Sequence, residues 1–245
     1  MSPRLSSLRI LRLVVLTGLV GGIAAGCGGS DSKTTAPNVV TDPLPASTVL
    51  NDTPTHTMSR LQATLNYQSN PSYAALLTSD FRFHFSSATD PTLVEQWGDT
   101  WGDMDDSLSM AHLFHGFTNM SDMYMPGATS MICIFSAMTD AGDPDYPDSA
   151  VFYRIIHVAN MSAMMDMPMD GGMTYSISSA PDICLVRGDV ARLRPGQPAS
   201  ADRWYVRRWD DLSSLASPVG VYSRIGPVTN PAKAMTLGSI KAQYR

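Results

Sequence analysis

The second half of the chain alternates between strand-like segments and clusters of turn-forming residues. The segments are rich in β-branched, aromatic and other apolar residues, and runs of Pro, Gly and Asp separate one from the next. Strands separated in this way pair as antiparallel neighbours through hairpins or longer loops. The pattern predicts strands over residues 130–138, 150–160, 174–186 and 203–209.

The segment before these strands is mainly helical in pattern. Apolar residues recur at three- and four-residue spacing in residues 57–67, which predicts an amphipathic helix, and Pro71 opens a second, shorter one. Residues 81–85 alternate Phe with polar residues, which indicates a strand. Further helices are predicted over residues 90–97 and 107–115. This order favours an α+β fold with two to three N-terminal helices packed on one face of a curved antiparallel sheet.

Three stretches carry a resemblance to a known superfamily. They are YAALLTSDFRF at residues 73–83, RWYVRRWDD at 203–211 and the closing GSIKAQYR at 238–245. Together with the helices, they resemble the NTF2-like (cone) superfamily, which includes SnoaL-like and ketosteroid-isomerase-like proteins, and within it a group of uncharacterised bacterial lipoproteins. The resemblance implies an NTF2-like domain over residues 57–211 and a C-terminal tail with a short helix over 212–245.

The resemblance does not fix an activity, because the superfamily contains isomerases, dehydratases and adaptors. Its isomerase-like members use a carboxylate base and a Tyr or protonated Asp donor in an apolar pocket. No Asp or Tyr of this chain stands in a recognisable catalytic motif, so we assign no catalytic residue. The acidic cluster of Asp99, Asp103, Asp105 and Asp106 is interpreted as solvated, because glycines interrupt the stretch.

Four aromatic residues are candidates for the wall of a cone pocket: Tyr67, Phe83, Trp97 and Tyr153. The alternative is that they are ordinary core aromatics. We expect a domain that binds a small apolar ligand or a protein partner without catalysis and without a cofactor. The alternative is a small-pocket enzyme of the isomerase or dehydratase type. Analogy with other cone proteins adds a homodimer as a further option.

The N-terminus has the pattern of an export signal. Three arginines precede an uncharged apolar run over residues 13–25, which is too short to span a membrane. The run ends in Ala25-Gly26-Cys27, which resembles a bacterial lipobox. The resemblance implies a signal peptide over residues 1–26 and lipidation of Cys27. The alternative is an ordinary secretory signal with a chance Cys.

The residues after Cys27 predict where the protein is anchored. Residues 27–56 are rich in Ser, Thr, Pro and Asp and are expected to form a flexible tether. In lipoproteins of two-membrane bacteria, Asp directly after the Cys retains the protein at the inner membrane. Gly28 stands there instead, so the resemblance implies a cell-envelope protein of the outer membrane.

The charge balance excludes one class of partner. The chain has 17 Lys and Arg against 22 Asp and Glu, a formal net charge of −5, and no basic stripe. Nucleic-acid binding proteins neutralise phosphates with clustered Lys and Arg, so we expect no nucleic-acid partner.

A methionine-rich segment over residues 161–173 is the unusual feature of the composition. Thioethers are soft ligands that favour Cu(I), which makes periplasmic copper binding through Met164, Met165 and Met167 the weaker alternative. Methionine also fills irregular apolar gaps. Because Asp, Pro and a Gly-Gly pair interrupt the run, we predict no metal site there.

Two cysteines remain once Cys27 is acylated. Cys133 and Cys184 lie in apolar strand segments, and the compartment outside the inner membrane is oxidising. We predict a disulfide between them, which requires their Cα atoms to lie about 4.4–6.8 Å apart. The alternative is two reduced core cysteines on strands that are not neighbours.

Overall fold

The computed structural model of the chain describes residues 50–86, 89, 91–142, 150–168, 172–212 and 233–245, which all belong to a unit of residues 39–245. The predicted signal peptide, Cys27 and the predicted tether up to residue 49 lie outside the described residues. In the ranges described, no helix combines the length and the hydropathy needed to cross a membrane.

The described residues form helices in both terminal parts and strands between them. The helices are α1 (Pro54–Asn66), α2 (Asn70–Ala74), α3 (Pro91–Trp97), α4 (Asp103–His115) and α5 (Leu237–Gln243). The strands are β1 (Leu77–His84), β2 (Thr100–Gly102), β3 (Phe117–Thr118), β4 (Tyr124–Met125), β5 (Ser130–Ala141), β6 (Tyr153–Met167), β7 (Met173–Ser179), β8 (Asp182–Arg187), β9 (Trp204–Asp210) and β10 (Lys233–Ala234).

Eight of the strands form one sheet, in the order β10-β7-β6-β8-β9-β1-β2, with β5 paired to β6. The long strand β6 pairs along its length with β5, while β8 pairs with its first half and β7 with its second half. The pairs are antiparallel except β1–β9 and β10–β7, which are parallel. The short strands β3 and β4 form a separate hairpin.

Helices and sheet enclose one hydrophobic core. Helix α1 buries Met58, Leu61 and Leu65, which recur at helical spacing, and α4 contributes Met110 and Leu113. The inward side chains of β1, β5, β6, β8 and β9 complete this core. The helices pack on one face of a curved, mainly antiparallel sheet and close it into a cone, so the predicted α+β class is confirmed.

Two strand boundaries differ from the sequence prediction. Residues 174–186, predicted as one strand, form β7 and β8, because Pro181 lacks the N–H that a continuous strand would need. Strand β6 runs to Met167, beyond the predicted end at residue 160. The methionine-rich segment is therefore largely strand, and three of its methionines are buried in the core: Met161, Met165 and Met167.

The C-terminal residues 233–245 are part of the domain and not a tail beside it. Strand β10 pairs with β7 at the edge of the sheet, and α5 buries Leu237 and Ile240 in the core. The Oγ1 atom of Thr236 caps α5 by accepting a hydrogen bond from Ser239 N at 2.9 Å. The cone domain therefore extends past the predicted boundary at residue 211.

The predicted disulfide is wrong. Both Cys133 and Cys184 are free and buried. Cys133 pairs with Ala163 and Cys184 with Ile155, which lie on the same strand β6. At about 3.3 Å per residue, this register separates the two cysteines by about 26 Å, far beyond the reach of a disulfide.

Candidate functional site: the filled interior of the cone

Three polar side chains from three helices meet in the interior of the cone. Lys241 Nζ donates to Asp106 Oδ1 at 2.6 Å, and Tyr73 Oη donates to Asp106 Oδ2 at 2.6 Å. Lys241 Nζ also lies 3.4 Å from Tyr73 Oη. The three residues are at most 1% exposed. We call Tyr73, Asp106 and Lys241 the interior triad.

Aromatic rings surround the ammonium group of Lys241. Its Nζ atom lies 3.9 Å from the ring centroid of Phe83, 5.4 Å from that of Trp209 and 5.8 Å from that of Tyr73. The electron-rich faces of such rings attract a cation, most strongly where water is excluded. The rings and the Asp106 carboxylate together replace the water that Lys241 loses.

Burial shifts the titration of the two donors of the triad. Removal from water lowers the pKa of Lys241, while the charge of Asp106 acts in the opposite direction. Burial, followed by the charge of Asp106, raises the pKa of Tyr73 well above its usual value. Tyr73 is therefore a neutral hydrogen-bond donor at physiological pH.

Polar contacts outside the triad hold α5 in place. Ser109 Oγ donates to the backbone carbonyl of Lys241 at 2.6 Å, and Gly238 N donates to Asp211 Oδ2 at 3.1 Å. Tyr244 Oη donates to a backbone carbonyl of the loop before β5 at 2.9 Å. These contacts hold the helix at its start, middle and end. The position of Lys241 in the interior triad is therefore fixed by contacts outside the triad as well.

The triad has the polar groups of an acid–base site, but α5 occupies the space that a substrate would need. A hydroxyl donor beside a carboxylate in an apolar interior can stabilise charge that develops on a ligand. Here the ammonium group of Lys241 occupies the position beside the carboxylate and the hydroxyl. A cavity of about 200 Å³ exists, but it lies at another place, between α1 and the start of β9.

The structure separates the four aromatic residues that were predicted to line a pocket. Phe83 is in the interior, beside Lys241. Tyr67 is 63% exposed at the end of α1, so its prediction is wrong. Tyr153 is outside the core cluster, so it does not line the interior and its prediction is wrong as well. The side chain of Trp97 lies outside what the structure describes.

The interpretation of the four acidic residues at positions 99–106 as solvated was only partly correct. Asp99 is exposed and Asp103 and Asp105 are partly exposed, but Asp106 is fully buried. The difference arises because α4 begins at Asp103, four residues before its predicted start. Asp106, Met110 and Leu113 then stand at i, i+4 and i+7 on the inward face, a spacing that could have identified Asp106.

Lys241 was also missed by the sequence interpretation. Leu237, Ile240, Lys241 and Tyr244 stand at i, i+3, i+4 and i+7, which is the spacing of one buried helix face. A lysine in that position is a signal that an acid must lie opposite, because an unpaired charge is not buried.

The three methionines named for the weaker copper alternative lie on two different faces of β6. Met164 and Met165 are adjacent on β6, so their side chains point to opposite faces of the sheet. Met165 and Met167 are buried among the core residues. In the described ranges, no group of three His, Cys, Asp or Glu residues is arranged to hold a metal ion.

Solved structures with a similar arrangement share little sequence with this chain. A protein provisionally named scytalone dehydratase, from Novosphingobium aromaticivorans, is 9% identical with a TM-score of 0.44, over 72% of this chain and 91% of its own. Hexachlorocyclohexane dehydrochlorinase LinA-type3 from Novosphingobium barchaimii is 10% identical with a TM-score of 0.41, over 70% and 90%. An NTF2-like protein of unknown function in nutrient uptake, from Rhodospirillum rubrum, is 12% identical with a TM-score of 0.39, over 67% and 100%.

No family model matches the chain, and no curated protein matches it. The activities in the names of the solved structures are those of the proteins that carry them.

Proposed function

We propose that the chain is a lipid-anchored protein of the bacterial cell envelope whose NTF2-like domain binds a partner without catalysis. Cys27 carries the lipid, residues 28–49 tether the domain, and Gly28 favours the outer membrane. The cone serves as a scaffold that presents its outer surface.

The observation that carries the non-catalytic role is the ion pair between Lys241 and Asp106. It fills the interior with the chain's own C-terminal helix, and both residues are at most 1% exposed. A substrate that needed this interior would have to displace a buried ion pair, which costs several kcal/mol because each charge would lose its partner. A small apolar ligand in the interior is disfavoured for the same reason, which leaves a protein partner or a ligand at another site.

One observation favours an enzyme of the isomerase or dehydratase type as the second candidate. The hydrogen bond from Tyr73 Oη to Asp106 Oδ2, at 2.6 Å in an apolar interior, resembles a catalytic pair. In that case α5 would leave the cone when substrate binds, and Lys241 would occupy the carboxylate until then.

Native mass spectrometry of protein purified from its own envelope distinguishes the two candidates. We expect a chain that begins at Cys27, carries acyl chains and retains no apolar small molecule. A retained molecule that is lost in Tyr73→Phe, but kept in the surface variant Tyr67→Phe, would overturn the non-catalytic role and support the enzyme. Tyr67 is a matched control because its ring is largely exposed.

The lipid anchor is tested separately. Cys27→Ser is expected to release the protein from membranes or to block its processing, because the thiol that accepts the lipid is missing. A variant that still fractionates with membranes at an unchanged mature mass would contradict the anchor.

A further inference from the structure

Two arginines share one cavity at the point where the chain enters the domain. The cavity of about 200 Å³ is lined by Arg60 of α1 and by Arg203, which directly precedes β9. Its floor is formed by the buried residues Leu76 and Tyr205, and its rim includes the exposed Leu50. The site is distinct from the interior triad.

The guanidinium groups of this cavity make no direct contact with an acid in the described part of the chain. Neither Arg60 nor Arg203 makes an ion pair or a side-chain hydrogen bond there, and Arg60 Nε is buried without a partner. Burial lowers the pKa of Arg60, and the charge of Arg203 lowers it further because the two cations repel each other. The acid that faces Arg203 is Asp52, whose carboxylate is exposed and hydrogen-bonded to His56.

The other polar groups of the cavity are already satisfied. Asn51 Nδ2 donates to the carbonyl of Trp204 at 2.7 Å, and Gln197 Nε2 donates to two backbone carbonyls at 2.9 Å. Tyr205 Oη donates to the carbonyl of Pro198 at 3.0 Å. The groups that remain to receive a ligand are therefore the two guanidinium groups.

We propose that this cavity binds a phosphate group of a small molecule or of a phospholipid. An arginine fork matches the oxygens of a phosphate, and one phosphate has enough oxygens to bind two forks, whereas one fork already satisfies both oxygens of a carboxylate. The ligand is a small one, because the volume is below that of a drug-sized pocket. The apolar rim leaves room for an organic substituent beside the phosphate.

The location of the cavity makes two sources of the phosphate accessible to it, a phospholipid headgroup and a soluble compound. Leu50 and Asn51 line the cavity and directly follow the tether. Leu50 follows Cys27 by 23 positions in the sequence, so a domain anchored through a lipid on Cys27, as proposed above, would hold this cavity near phospholipid headgroups. A soluble phosphate compound in the same compartment would bind the same two arginines. The phospholipid source rests on the proposed anchor, whereas the cavity and the soluble source depend neither on the anchor nor on the absence of catalysis.

The test compares two arginine variants with a matched surface control. Calorimetric titration of the full chain carrying Cys27→Ser with inorganic phosphate and glycerol phosphate, at constant ionic strength, measures the soluble source. Sedimentation with phosphatidylglycerol vesicles and phosphatidylcholine vesicles measures the lipid source. Arg60→Gln and Arg203→Gln remove one fork each, and Arg192→Gln removes an equal charge at an exposed position. Urea unfolding of each variant confirms that it is folded.

We expect at least tenfold weaker binding in Arg60→Gln and in Arg203→Gln, and unchanged binding in Arg192→Gln. Binding of the soluble phosphates alone identifies a soluble ligand, and binding of vesicles alone identifies the headgroup. No binding of either probe would overturn the proposal, and so would an equal loss in all three variants, which would show an unspecific effect of net charge. Neither outcome bears on the retained-ligand experiment of the interior triad.

Discussion

Lys241 Nζ donates to Asp106 Oδ1 at 2.6 Å although the two residues are 135 positions apart in the chain. A buried ion pair adds little stability compared with apolar packing, but it is costly to leave one of its charges alone. The pair therefore favours one seating of α5, in which the lysine reaches the carboxylate and the Tyr73 hydroxyl shares it. The domain closes its own interior by this contact between its last helix and α4.

Replacement of Lys241 by Ala is expected to lower the free energy of unfolding by about 3–5 kcal/mol, because Asp106 is left as an uncompensated buried charge. The double variant Asp106→Leu, Lys241→Met is expected to lose much less than the sum of its single variants. Urea unfolding measures each free energy. Asp140→Asn, which breaks the more exposed pair with Arg154, is the control and is expected to cost less than about 1 kcal/mol. Additive single effects would contradict the pair.

Gly238→Ala is expected to destabilise the domain by about 1–3 kcal/mol, because a Cβ atom there would lie 2.5 Å from Cδ1 of the Phe85 ring. Gly142→Ala is the control, since its Cβ would be in ordinary contact, 3.4 Å from Ala150 Cβ. Thermal or urea unfolding measures both variants. Equal stability of Gly238→Ala and the unchanged protein would show that α5 does not pack against Phe85 as described.

The Cys133 thiol is expected to make stability sensitive to alkaline pH. Burial raises its pKa to about 12 from 9.0, so the folded state holds its proton while the unfolded state loses it. This contribution is fully present below about pH 9 and is lost as pH rises toward 12, by about 1.4 kcal/mol per pH unit in that window. Urea unfolding between pH 8.5 and 10.5 should show that the free energy of unfolding falls less steeply with pH in Cys133→Ala than in the unchanged protein. Identical slopes would contradict a protonated buried thiol.

Amide side chains of α1 are expected to stabilise the edge of strand β5 by bonding its backbone groups. Asn66 Oδ1 accepts from Cys133 N, Asn66 Nδ2 donates to Cys133 O at 3.1 Å, and Gln62 Oε1 accepts from Phe135 N at 2.7 Å. Asn66→Leu leaves both backbone groups of Cys133 without these partners and should cost about 1–3 kcal/mol, with increased self-association through the open edge. Asn66→Asp retains the acceptor and should lose less. Urea unfolding and light scattering measure the two effects, and a fully stable, monomeric Asn66→Leu would contradict the capping.

The element order of the fold could be predicted from the sequence because hydrophobic periodicity is a local signal. The helix at residues 57–67 and the strand at 130–138 were identified from spacing alone, and both exist with boundaries shifted by up to three residues. Sheet order could not be predicted, because pairings such as β1 with β9 join residues far apart in the chain. The Cys133–Cys184 disulfide was wrong for this reason: adjacency of strands is not a local property.

The interior triad could be predicted only in part. The inward spacing of Asp106 and of Lys241 is visible in the sequence once the helix starts are known, but the start of α4 was placed too late. That these two residues meet depends on where α5 packs, which is set by the shape of the closed cone. That neither Arg60 nor Arg203 makes an ion pair among the described residues likewise depends on the fold, which a charge count does not show.

Hydrogen exchange of α5 tests most directly whether the helix fills the interior of the folded domain. The amides of Ile240 and Tyr244, which donate to backbone carbonyls within the C-terminal segment, are compared with those of Ile183 and Leu185 in the central strand β8. We expect both sets to exchange within about tenfold of each other, because α5 opens only when the domain unfolds. Exchange of the α5 amides at least a hundredfold faster, which corresponds to an opening that costs about 2.7 kcal/mol less, would contradict it and show that the helix leaves the cone on its own.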